Sequence, residues 1–191
     1  RLIGNLSDGQ IKTIGNIVTT DDQGLVLEFA DFNKLDTLAF KNSVANWSGH
    51  NGIQSIIDPN GNNVEVTIRA TLSELISNGV VNATSGAVAT TLSADSFNLF
   101  AKNVSAIELI GEEAEEETPE FTAAQIKTLL SDSRITANDG GVLNLVDSAE
   151  NIRALLLDSA RNEVDLSIVS EIINTSLTTA IELDYADFVE L

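Results

Sequence analysis

Two stretches of this chain are near copies of one another. The run Leu183, Asp184, Tyr185, Ala186, Asp187, Phe188, Val189, Glu190, Leu191 restates Leu27, Glu28, Phe29, Ala30, Asp31, Phe32, Asn33, Lys34, Leu35, with five identities and conservative exchanges at the first acidic and first aromatic positions. A second echo pairs Gln10, Ile11, Lys12, Thr13 with Gln125, Ile126, Lys127, Thr128. Repetition of this kind restricts the fold to small units that cannot bury their apolar side alone and must stack on a neighbour.

Each copy of the block reads as a strand running into a helix. Leu25 to Phe29 alternates as a strand does, and Asp31 is placed to cap a helical turn carrying Phe32 and Leu35. Ala180 to Tyr185, followed by Asp187, Phe188 and Leu191, has the same form, and Val88 to Leu92 followed by Asp95, Phe97 and Phe100 is a looser third copy. Ser7 with Gln10, Thr122 with Gln125 and Thr71 with Glu74 have the capping-box spacing, in which a hydroxyl and an amide or carboxylate satisfy N–H groups at a helix start reciprocally. The Thr71 helix should end at Asn78 and Gly79 in a left-handed cap. Ser148 to Ser159 is the strongest helix, with Ile152, Leu155 and Leu156 on one face. Further strands are expected at Leu38 to Phe40, Ile53 to Ile57, Val64 to Ile68 and Val104 to Ile110, the turn Asp58 to Asn63 joining the middle two as a hairpin. Short strands alternating with short helices predict an α/β or α+β fold of repeated strand-helix units in a solenoid-like or two-lobed arrangement; a β-sandwich with short helices is the alternative.

Between Gly111 and Glu120 six glutamates crowd together, a run that repels itself and resists burial. It predicts an exposed linker, 111–120, between an N-terminal repeat lobe, 1–110, and a C-terminal one, 121–191. In the first copy Leu35 is followed by the expected strand at Leu38, whereas the last copy stops at Leu191. The final unit therefore reads as unfinished, with a sheet edge that seeks a partner.

Charge narrows the partners. Twenty-nine acidic against ten basic residues give a net charge of −19, which repels nucleic acid phosphates and anionic membrane surfaces. No apolar run approaches the roughly 20 residues that span a bilayer. The chain contains no cysteine, and His50 is its one histidine, so zinc sites of histidine and thiolate are excluded. A serine-histidine-acid triad would have to use His50, in the loop Ser48, Gly49, His50, Asn51, Gly52. No nucleophile elbow or phosphate-cradling loop occurs, and the chain is expected not to be an enzyme.

The segment Gly140, Gly141, Val142, Leu143, Asn144, Leu145, Val146, Asp147, Ser148, Ala149, Glu150, Asn151, Ile152 resembles repeats of large secreted bacterial surface proteins: S-layer-like, adhesin-like and haemolysin-type calcium-binding proteins. Their repeats pair a Thr/Leu-rich strand with an Asp-Ser/Thr-Ala-x-Asn-Ile/Leu helix start. The resemblance extends over about the last 70 residues and the Leu25 to Leu35 block, and implies an extracellular structural or adhesive role. The calcium-binding nonapeptide of such proteins is missing, since Gly140 and Gly141 run into Val142 and Leu143.

Candidate ligands are therefore read from the residues themselves. Asp58, Asn60 and Asn62 alternate like the first ligands of a calcium loop, but Gly61 falls too early and Arg69 holds the twelfth position, so a turn is the stronger reading. Asp21 with Asp22, and Asp139 with nearby Asp132, are further carboxylates that could hold a hard cation such as Ca²⁺ where like charges meet between subunits, against the plainer reading of solvated turns. Trp47 and His50 form a candidate glycan-contacting loop, and Leu183, Tyr185 and Phe188 a candidate docking edge. Asn5, Asn46, Asn82, Asn103 and Asn174 begin glycosylation sequons, about as many as chance supplies. The expected function is an extracellular structural protein of the bacterial cell surface, a homo-oligomer or array of neighbouring repeats that associates edge to edge into a layer, filament or stalk. An adhesin module binding glycan or a host surface is the alternative, and a hydrolase with a carboxylate pair the third reading.

Overall fold

The computed structural model describes residues 16–20, 24–44, 55–90, 99–112, 117–137, 141–160 and 164–182. Asp21, Asp22, Trp47, His50, Asp139, Leu183, Tyr185 and Phe188 lie outside them, as does the Ser7–Gln10 box. In chain order the elements are β1 (Asn16–Val18), β2 (Leu25–Glu28), α1 (Phe29–Val44), β3 (Ser55–Ile57), β4 (Val66–Thr71), α2 (Leu72–Ser77), α3 (Leu99–Asn103), β5 (Val104–Ile110), β6 (Glu120–Phe121), α4 (Ala123–Leu130), β7 (Ile135–Ala137), β8 (Leu143–Asp147), α5 (Ala149–Ala160) and β9 (Val169–Asn174). The fold is of the α/β class. β1 pairs with β3, β2 with β4, β6 with β8 and β8 with β9, all in parallel, whereas a sandwich would need antiparallel sheets. The chain forms two compact units, one of Arg1–Ala70 with Ala89–Ile107 and the other of Thr71–Val88 with Glu108–Leu191.

In the first unit β2 passes directly into α1, and Phe29, Phe32 and Leu35 form its buried stripe. Phe32 meets Phe100 of α3 edge to face, with ring centroids 6.3 Å apart. Two expectations fail here. The helix starts at Phe29, so Asp31 lies inside the first turn, where its charge still favours the helix dipole, and does not cap it. Leu38 to Phe40 is not a strand but the continuation of α1. The three-residue apolar run is too short to distinguish strand from helix, and it extends the helical period set by Phe29, Phe32 and Leu35. The inference of an unfinished last unit, which depended on that strand, goes with it.

The expected hairpin is half right. Its turn is built by Asp58, whose Oδ1 accepts the N–H groups of Asn60 and Asn62 and whose Oδ2 accepts Asn62 Nδ2. Beyond one antiparallel bridge, Ile57 to Asn63, the limbs part: β3 joins β1 and β4 joins β2. Asn103, at the end of α3 and 3% exposed, fills the gap. Its Nδ2 donates to the carbonyls of Ile56 and Val64, each at 2.8 Å, and its Oδ1 accepts Ile56 N–H at 3.4 Å.

Asp36 does a related task for α3. It is buried on α1, and its Oδ1 accepts the N–H groups of Leu99 and Phe100 at 3.0 and 3.3 Å. Burial pushes its carboxyl above the usual range, the two N–H donors opposing that shift only in part. A raised folded pKa stabilises the protein fully below the unfolded value, about 3.9, and that contribution fades as pH rises through the folded value. Asp36→Asn keeps the acceptor without the buried charge. Urea midpoints measured at intervals from pH 4 to pH 7 should therefore show the variant gaining on the wild type as pH rises; a constant difference would mean that Asp36 does not titrate in that range.

Candidate functional site

The second unit is built on β6, β8 and β9, whose register aligns Phe121 with Leu145 and Leu145 with Ile172. Its helices start where β4, β6 and β8 end. Both capping boxes in the unit are formed: Thr71 with Glu74 opens α2, and Thr122 with Gln125 opens α4. A formed cap contributes about 1 kcal/mol. The α2 helix closes as expected at Asn78, with Gly79 at φ +73°, Val80 N–H donating to Leu75 O and Gly79 N–H to Ile76 O. Gln125 has a second use, its Nε2 donating to the carbonyls of Ala83 and Thr84 and so pinning the 82–88 turn against α4.

A relay links successive strand exits. Asp147, the last residue of β8, accepts Ala123 N–H of α4 through Oδ2, while its Oδ1 accepts Ser148 N–H and Asn151 Nδ2 at the start of α5. Ser176 Oγ, just past β9, accepts Ala149 N–H of α5, and Glu112, just past β5, accepts Ser73 N–H of α2. In each case the exit of a later strand supplies the acceptor for an earlier helix start, where N–H groups lack partners within the helix. Burial pulls the Asp147 pKa up, but the donors from Asn151, Ser148 and Ala123 outweigh it, leaving the carboxyl below the usual range. Its stabilising contribution is therefore lost as pH falls. The acidic residues needed for this relay are part of what makes the chain so negative.

Between α2 and the strand entries lies a groove of about 690 Å³, lined by Ser73, Ile76, Ser77, Glu117, Glu120 and Asn144 among others. Glu112, Glu117 and Glu120, from the run expected as a linker, thus take part in the second unit: Glu112 in the relay and the other two in the groove wall. Among the described residues, no group of three or more His, Cys, Asp or Glu could hold a metal ion. The Asp58 carboxylate is engaged by its own turn, and these bonds, led by those from Asn62, hold its pKa below the usual range. Asn60, the other described candidate ligand, is an exposed residue of that turn.

The sheet edges stand out more clearly than the groove. The exposed large apolar residues among those described are Val18 on β1, Val26 on β2, Ile172 on β9 and Leu177 just after it. β2 stands at one end of its sheet, beside β4, and β9 ends the order β6-β8-β9. Within the Phe121–Leu145–Ile172 row, exposure rises from 2% and 0% to 42% at the terminal strand. Sequence reasoning located β2 but missed β9 as an edge. Val169 to Asn174 reads Val-Ser-Glu-Ile-Ile-Asn, without the period-two alternation that marks a strand, so no local signal was available.

Among the described residues, no helix is long and apolar enough to cross a membrane. No family model, no curated protein and no solved structure matches the chain.

Proposed function

We propose that this chain is an extracellular structural protein of a bacterial cell surface, whose copies associate edge to edge into a layer, filament or stalk. The observation that carries this reading is the placement of exposed aliphatic residues on the strands where sheets end: Val18, Val26 and Ile172. A sheet edge bearing exposed aliphatic side chains invites pairing with another chain, and β9 keeps Ile172 exposed beyond Glu171 and the register shift at the start of the strand. The relay of helix caps supports the solenoid-like element of the reading, because each strand-helix unit of roughly 25 residues is completed by the exit of the next one. At a net charge of −19 close association must screen or bridge carboxylates, and Ca²⁺ is the counter-ion that carboxylate-rich contacts would take.

Light scattering and electron microscopy with and without millimolar calcium test this. The wild type should form regular assemblies. Ile172→Lys places a charge on the β9 edge and should raise the concentration needed for assembly by about tenfold or more, equivalent to about 1.4 kcal/mol per contact. Its circular dichroism should be unchanged. Monodisperse monomer at high concentration, with and without calcium, would remove the proposal.

A further inference from the structure

Resting on that edge-to-edge reading, we propose the partner and register of the contact: β9 of one copy pairs in parallel with β2 of a second copy, Ile172 beside Leu25 and Ile173 beside Val26. Four independent features of the two edges agree on this joint.

The first is hydrogen-bonding parity. Leu25 N–H donates to Glu65 O, so Leu25 and Leu27 turn their peptide groups to β4 and Val26 turns its own to the open side. On β9, Thr175 N–H donates to Asp147 O, so Ile173 faces β8 and the peptide groups of Ile172 face outward. In a parallel ladder an outward-facing residue sits opposite one whose peptide groups face away from it. Ile172 beside Leu25 satisfies that condition from both sides.

The second is the match of sheet faces. Leu25 and Leu27 align with Val66 and Ile68, both fully buried, whereas Val26 and Glu28 align with Thr67 and Arg69 on the other face. Ile172 aligns with buried Leu145 and Phe121. The joint sets core face beside core face, covering Ile172 with Leu25, and brings Ile173 onto Val26, which is 61% exposed.

Handedness supplies the third feature. Parallel strands joined through helices follow right-handed crossovers almost without exception, so the steps from β2 to β4, β6 to β8 and β8 to β9, each a parallel pair, advance in the same sense when viewed from their helices. Adding β2 beyond β9 continues that advance with the core on one side.

Charge is the fourth. This register sets Glu171 beside Gly24 and Glu28 beside Thr175, so no two carboxylates face each other. Moving the register by two residues toward the C-terminal end of β2 would lay Ile173 against Glu28.

The cysteine-free sequence allows a direct test. Val26→Cys and Ile173→Cys are prepared separately and then mixed in glutathione buffer at physiological salt with millimolar calcium. Neighbouring parallel strands hold aligned Cα atoms about 4.8 Å apart, within disulfide reach. The mixture should give a 26–173 disulfide, located by peptide mapping, in about tenfold excess over disulfide dimers of either variant alone, because pairing raises the effective thiol concentration. Self-linked Ile173→Cys dimers would overturn the choice of β2 as partner, and efficient linking of Val26→Cys to Glu171→Cys would overturn the register. Assemblies that form without any 26–173 link would overturn this joint and leave edge-to-edge association standing. Absence of assembly by light scattering would instead overturn the association itself.

Discussion

Exchanging Asn103 for leucine is expected to lower the free energy of unfolding by about 2–5 kcal/mol, from a total that for such domains is about 5–15 kcal/mol. The carboxamide spans the fork where β3 and β4 separate. Its two arms serve peptide groups that the sheets leave unpaired: Ile57 O accepts Thr19 N–H on the β1 side, so the peptide groups of neighbouring Ile56 face away from β1. Ile56 O still accepts Val64 N–H when Asn103 is removed, but Ile56 N–H and Val64 O lose the partner shown here. Each buried polar group left unpaired costs about 1–3 kcal/mol, and leucine, though close in size, offers neither donor nor acceptor. Asn103→Asp separates this account from simple packing loss. An ionised carboxylate would face two carbonyls, so that variant should be worst at neutral pH and recover in acid, where protonation supplies a donor. Its folded pKa would be raised, and the stability gained below the unfolded pKa would be lost as pH rises. Urea unfolding at pH 4 and pH 7 checks both variants; a leucine variant within about 0.5 kcal/mol of wild type would show that Asn103 does not hold the fork.

Local rules recovered local structure. Thr71–Glu74, Thr122–Gln125, the Gly79 cap, β5 and the helix after Ser148 were all legible because each is fixed by residues within a few positions of one another. Leu38 to Phe40 was misread because β-like composition over three residues says nothing about period. Ile53 to Ile68 was misread for a different reason. Turn chemistry at Asp58 specifies reversal of the chain, but whether the limbs then pair is decided by β1, β2 and a side chain 39 residues beyond Val64. The relay was hidden in the same way, since an aspartate at a strand end looks like a cap for its own helix. That Asp147 also serves Ala123, 24 residues earlier, requires the parallel stack to exist first. The expected docking residues Leu183, Tyr185 and Phe188 fall outside the described residues, and at Ile172, one of the edges that do stand exposed, the strand lacks even alternation as a sequence mark.

Gly86→Ala should be nearly as damaging as the loss of Asn103, at about 2–4 kcal/mol, although it adds a single methyl group. Gly86 has φ +74°, which costs an L-residue about 1–2 kcal/mol. A Cβ there would also lie 2.2 Å from Gln125 O and 2.9 Å from its carbonyl carbon. Those atoms belong to the α4 backbone, so no rotamer change relieves the overlap. The 82–88 turn must lift away, and the bonds from Gln125 Nε2 to Ala83 O and Thr84 O are lost with it. Gly79 provides the control, because its φ of +73° is nearly the same but nothing lies within 4 Å of the site where its Cβ would be. Gly79→Ala should therefore cost only the backbone share, about 1 kcal/mol. The difference between the two urea midpoints isolates the close approach of the turn to α4. Hydrogen exchange should report it too: Ser85 and Gly86, whose N–H groups donate to Asn82 O, should lose protection in Gly86→Ala and keep it in Gly79→Ala. Equal losses of stability in both variants would mean that the turn does not rest on the α4 backbone.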